Sequence, residues 1–174
     1  DAVRAGLALV PEERRKEGVL VEESVTTNLT TVVLSRLCRF FGTVLDFGRE
    51  RTISRKMIAD LGIKTPNEAA LVRNLSGGNQ QKVAIGKWLV ADAEVYIFDE
   101  PTKGVDVGAK RDIFQLIAKL VEQGKSVIYA SCELSEIMGI TDRVYVMYDG
   151  MIVKELETAK TNEEELLFYS TGGK

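Results

Sequence analysis

The feature that most constrains this chain is the run Val95-Tyr-Ile-Phe98, four apolar residues that lead straight into two adjacent carboxylates, Asp99 and Glu100. A short apolar run without alternation reads as a strand covered on both faces, the habit of parallel sheets. Parallel strands need long crossover connections, usually helices. The downstream sequence offers one: from Val107 to Glu122 a helical period places Ile113, Leu116, Ile117 and Leu120 on one face, and Gly124 stops it. Ser126 to Ala130 then reads as a second buried strand, and Gly6 to Val10, closed by Pro11, as a third. Strands alternating with helices of this length predict an α/β domain with a partly parallel sheet flanked by helices.

The remaining segments fill in around that sheet. Ser24 is placed to cap a helix from Val25 towards Phe41, closed by Gly42; a second helix is predicted from Arg49 to Leu61, ending at Gly62. The stretch from Glu22 to Val72 is therefore expected to be a helical insertion beside the sheet. A long helix follows Leu75-Ser-Gly-Gly-Asn-Gln-Gln-Lys82 to about Ala91. Residues 93–156 carry the strands after it, with a short helix near Leu134 to Met138 and a hairpin from Arg143 to Glu155 turning at Asp149-Gly150. A charged helix, roughly Asn162 to Tyr169, occupies the last segment, 157–174.

Composition excludes several classes. With 174 residues, 45% apolar and 28% charged, the chain is an ordinary globular domain in size and content. A net charge of −3 argues against nucleic acid as a partner. The cluster Arg14-Arg15-Lys16 is diluted by Glu12, Glu13 and Glu17 and reads as a solvated loop. There is no histidine, so imidazole catalysis is ruled out. The two cysteines, Cys38 and Cys132, form no metal spacing and are expected to be reduced, small apolar residues. No apolar run reaches the roughly 20 residues that span a bilayer. The start at Asp1, without Met, suggests a piece of a longer protein.

Two motifs carry chemistry. Strand C-terminal ends are where open α/β sheets bind ligands, and neighbouring carboxylates there point differently, so one can hold Mg²⁺ and the other can orient water. The plain alternative for Asp99-Glu100 is a capped strand end. Ser76-Gly77-Gly78 heads a helix, where unpaired N–H groups favour a phosphate. The plain alternative there is a serine-capped helix.

Taken together and in this order, these segments resemble an ATP-binding-cassette (ABC) ATPase. Leu75 to Lys82 is similar to the family's signature motif, Val95 to Glu100 to its Walker B strand, and Pro101-Thr-Lys-Gly-Val-Asp106 to its D-loop. The resemblance runs from Gly6 to about Glu155. It implies a P-loop NTPase-like ABC fold with a helical subdomain, and ATP with Mg²⁺ as ligands. It further implies Asp99 on the metal, Glu100 as the catalytic base, and Asp106 at a dimer interface. Leu75, Ser76, Gly77, Gly78 and Gln80 would contact nucleotide held on an opposing cassette.

The pattern also departs from the family. Gly124-Lys125-Ser126 has Lys119 where a P-loop needs its first glycine, and it joins a helix to a strand, the reverse of the required context. Thr171-Gly-Gly-Lys174 imitates the same loop at the last residue. The Walker A part is thus missing. Glu12 stands where the family usually has a loop glutamine, and Cys132 where it has the switch histidine. With Pro-Glu-Glu-Arg-Arg-Lys-Glu-Gly-Val, these departures are similar to the second cassette of fused bacterial monosaccharide importers for ribose, xylose or galactose. That resemblance implies a first cassette, a membrane permease and a periplasmic sugar-binding protein as partners, and a peripheral position on the cytoplasmic face of the inner membrane. Other readings are a nucleoside or autoinducer importer cassette, a soluble ABC ATPase acting on DNA or ribosomes, and a non-catalytic regulatory module.

Overall fold

The computed structural model describes residues 2–39 and 44–173. The chain divides into two compact units, Asp1–Ile128 and Tyr129–Lys174. The first contains β1 (Leu7–Val10), α1 (Val25–Thr30), α2 (Leu34–Leu37), β2 (Cys38–Arg39), β3 (Val44–Leu45), α3 (Phe47–Asp60), α4 (Gly77–Ala91), β4 (Val95–Asp99) and α5 (Val107–Glu122). It also holds the start of β5 (Ser126–Ala130). The second contains α6 (Leu134–Ile140), β6 (Arg143–Tyr148), β7 (Met151–Glu157) and α7 (Glu163–Ser170).

The three-stranded sheet has the order β1-β4-β5. β1 and β4 are parallel, with Val10 in register with Phe98, so both strands deliver the chain to the same edge. The acidic strand is central, as its apolar run predicts. Alternation sends Ala8, Val10, Tyr96 and Phe98 into the core and leaves Val95, Ile97 and Asp99 half-exposed on the other face. α4 packs on β1 from the buried side. The expectation of strands buried on both faces is corrected: Leu9 is 48% exposed and Ile128 55%.

The insertion is stitched shut at its base. The amide of Val25 donates to the Ala70 carbonyl at 2.9 Å, and that of Val72 to the Glu23 carbonyl at 3.0 Å. Inside, Val25, Leu29, Val72, Val83 and Ala84 form an apolar cluster that α1 shares with α4. Ser24 caps α1 as predicted, its Oγ accepting from the Thr27 amide at 3.0 Å. The helix does not continue to Phe41. It tightens into a 3₁₀ turn at Thr31–Val33 and ends with α2 at Leu37, after which Cys38–Arg39 pairs antiparallel with Val44–Leu45. A β-branched run disfavours regular helix. Buried Thr30 also bonds sideways, donating to Glu50 at 2.8 Å. Phe40, Phe41 and Gly42 lie outside the described residues.

α3 and α5 match their predicted spans within a residue or two. Asp46 caps the first, accepting from the Arg49 amide, and Asp106 caps the second, accepting from the Ala109 amide at 3.0 Å. In the second unit, β6 and β7 form the predicted hairpin, with Asp149 and Gly150 both at positive φ, as a type I′ turn requires. Ile137, Val146 and Leu166 make its core. Among the described residues, no helix is long and apolar enough to cross a membrane.

Candidate functional site

Strand alternation turns Asp99, the last residue of β4, to the half-exposed face. Glu100 follows at φ 45°, a left-handed backbone that a side-chain-bearing residue rarely adopts. Such outliers persist where the surroundings over-determine them, often at functional positions. Here the next turn holds it: the Lys103 amide donates to the Glu100 carbonyl at 3.1 Å, and Thr102 beneath is 1% exposed. The two carboxylates thus leave the strand in different directions at one sheet edge.

The chain after β1 reaches the same edge. Glu12 forms an ion pair with Lys103. That hydrogen bond and charge raise the Lys103 pKa above the usual lysine value, with smaller contributions from Glu100 and Glu13. Lys103 is therefore the counter-ion of Glu12 at this edge.

Ser76 precedes the first turn of α4 in extended backbone and is exposed. Its hydroxyl makes no capping bond, which sets aside the plain serine-cap reading; it accepts instead from Asn79 Nδ2 at 2.8 Å. Behind it, the glycines let the helix touch the loop 101–106. A Cβ on Gly77 would fall 3.2 Å from the Gly104 carbonyl oxygen and 2.9 Å from Arg14 Nη2. A Cβ on Gly78 would fall 2.7 Å from Ala109 Cβ and 3.4 Å from Asp106 Oδ2. Side chains at these positions would push α4 away from Gly104 and from Ala109 of α5.

Two expectations are corrected here. Gln80 does not present its amide to a ligand: it is fully buried, donates to the carbonyls of Val72 and Leu75 at 3.1 Å each, and accepts from Arg15 Nε at 3.0 Å. It braces the backbone of Leu75, itself 7% exposed, so that Ser76 stands out. Nor is the Arg14-Arg15-Lys16 cluster uniformly solvated. Lys16 is solvated, its side chain 76% exposed, and Arg15 is exposed although its Nε is held by Gln80. Half-buried Arg14 donates from Nη1 to the Lys103 carbonyl at 2.8 Å and from Nη2 to the Gly104 carbonyl at 3.2 Å. Sequence reasoning also missed Asn79. Its place three residues after Ser76, within the first helical turn, was the available signal.

Cys132 belongs to the second unit and is exposed, unlike the small apolar residue expected. Cys38 is partly buried, and neither cysteine is held in a disulfide.

A family model described as ABC transporter matches residues 2–103, more than half of the chain. The chain belongs to the ABC transporter family. Among curated relatives, this ABC chain is 45% identical over 175 residues to the ribose import ATP-binding protein RbsA of Hahella chejuensis, covering 99% of itself and 34% of that protein. It is 44% identical over 172 residues to an Agrobacterium fabrum import ATP-binding protein named for ribose, galactose and methyl galactoside, with the same coverage of both. The ABC chain thus spans about a third of the length of the curated relatives it matches.

Solved ABC structures share the fold at lower identity. A dimeric post-hydrolysis ATP-binding cassette, MJ0796, with ADP and Pi superimposes with a TM-score of 0.73 at 21% identity, covering 87% of this chain and 62% of that one. A metal-chelate type ABC transporter in an inward-facing conformation gives 0.78 at 17% identity, covering 95% and 63%.

Proposed function

We propose that this chain is the signature-bearing part of the second ATP-binding cassette of a monosaccharide importer. The observation that carries the reading is the exposed head of α4. Ser76 stands clear of capping duty, with Gly77 and Gly78 pressed on the loop that leaves the acidic strand. A helix N-terminus of this kind offers N–H groups and partial positive charge to a phosphate. Nucleotide held on an opposing cassette would meet Ser76, Gly77 and Gly78, while Asp106, at the start of α5, would face the partner cassette.

The acidic edge fits Mg²⁺, which keeps several waters and needs only one or two carboxylates. Asp99 would hold the ion and Glu100 would orient water as general base. Bound Mg²⁺ would neutralise charge developing on the transferred phosphoryl group. Glu12 would join them only by giving up Lys103. By the sequence resemblance alone, Cys132 takes the position of the family's switch histidine and carries a thiol instead of an imidazole. The site of this half would therefore turn over slowly, and its signature would complete the competent site of the first cassette.

The names of the relatives, which refer to ribose and galactose, support sugar as cargo. The cassette would sit peripherally at the cytoplasmic face of the inner membrane, on a permease fed by a periplasmic sugar-binding protein. Uptake into proteoliposomes that hold the complete polypeptide, permease and binding protein tests this. ATP-dependent accumulation of labelled ribose or galactose is expected. Accumulation of a nucleoside alone would shift the assignment to a nucleoside importer, and ATP-independent uptake would overturn it.

A further inference from the structure

The segment after β1 is the least regular part of the first unit, yet it is tied down at both ends. Its π-helical turn, Arg14–Gly18, is joined to α4 by Arg15 on Gln80 and by Lys87, whose ammonium donates to the Gly18 carbonyl. On its other side it is joined to the D-loop by Glu12 on Lys103 and by the two Arg14 bonds to the carbonyls of Lys103 and Gly104. Those partners lie 89 and 90 residues away in sequence.

Arg14 is the hub. Its Nη2 lies where a Gly77 side chain would project, so one guanidinium touches the signature backbone and fastens the D-loop. Among the described residues its Nε is buried without a hydrogen-bond partner. Burying a guanidinium is unfavourable unless its donors are used. Arginine's rigid fork suits two adjacent carbonyls in a way that lysine's single ammonium does not.

We propose that Arg14 is a positioning residue that fixes the D-loop, and with it Asp106, against the signature glycines. The role assigned to that cluster rests on the function proposed above; the clamp itself does not. The loop after β1 thereby sets the spacing between Gly77-Gly78 and residues 103–106. Displacement of that loop would be felt at Gly77-Gly78 without any change in the signature's own residues.

Amide hydrogen exchange on the complete polypeptide tests the clamp directly, using Arg14→Met, which keeps the length and removes the donors, and Arg14→Lys. The Met variant is expected to exchange about five-fold faster or more at Val105–Ala109, with β4 and the body of α4 unchanged and the thermal midpoint nearly so. The Lys variant should recover part of the protection. Under the proposed function, ATP turnover should fall about ten-fold in kcat in the Met variant, with KM for ATP within about two-fold, because the loss is felt in the transition state and not in nucleotide binding. Unchanged exchange at Val105–Ala109 would overturn the proposal, as would an equal rise across β4 and α4, the sign of general destabilisation. Faster loop exchange reversed by Lys, with turnover at the wild-type level, would uphold the clamp and reject the signature reading.

Discussion

Gly78 and Ala109 are in contact across the junction of α4 and α5, so close that a methyl group on Gly78 would stand 2.7 Å from the Ala109 Cβ. Neither atom belongs to a flexible side chain, so the helices themselves must move to accept it. α4 and α5, the latter capped by Asp106, are thus held at a separation that only glycine permits.

Gly78→Ala is therefore expected to destabilise the chain by about 1–3 kcal/mol, the usual cost of overpacking. Adding Ala109→Gly should recover a measurable part of the loss, because residues in contact are not additive. Urea denaturation of the two single variants and the double variant checks this. Strict additivity would mean that the contact is not made.

The insertion depends on Leu29, which is fully buried in the cluster with Val25, Val72 and Val83. Leu29→Ala should cost about 2–5 kcal/mol, transfer and cavity together. The loss should appear as a lowered unfolding midpoint; a change below about 0.5 kcal/mol would contradict the packing described.

The insertion should also be acid-sensitive through Glu68. A hydrogen bond from Arg55, aided by the Arg55 and Arg51 charges, holds its carboxyl below the usual glutamate range. A depressed carboxylate stabilises the fold above its unfolded pKa of about 4.3 and loses that contribution as pH falls through the lower folded value. Glu68→Gln should thus lower the denaturation midpoint at neutral pH and narrow the gap between neutral pH and about pH 3. An unaltered gap would contradict it.

What the sequence disclosed, and what it hid, follows from the range of the forces involved. α5 is legible end to end because its period and Gly124 are both local signals. The Asp149-Gly150 hairpin was legible for the same reason. The break at Thr31–Val33 is half legible: the β-branched run Thr30-Thr-Val-Val33 weakens helix locally, whereas the bond from Thr30 to Glu50 spans 20 residues. The role of Arg14 is hidden because a charged triplet looks solvated until distant carbonyls are brought to it. Gln80 looks like a ligand contact from its place beside Ser76-Gly-Gly, yet it is buried on the Val72 and Leu75 carbonyls and the neighbouring Asn79 holds the exposed serine.

If the proposed function is right, this chain lends its signature to a nucleotide bound elsewhere and contributes little hydrolysis at its own acidic edge. ATP turnover by the complete polypeptide with its permease, compared between Ser76→Arg and Glu100→Gln, tests it most directly. Ser76→Arg is expected to lower turnover about 10²-fold or more, as loss of a transition-state contact does, while Glu100→Gln leaves most of it. Abolition by Glu100→Gln with Ser76→Arg sparing the activity would contradict the account.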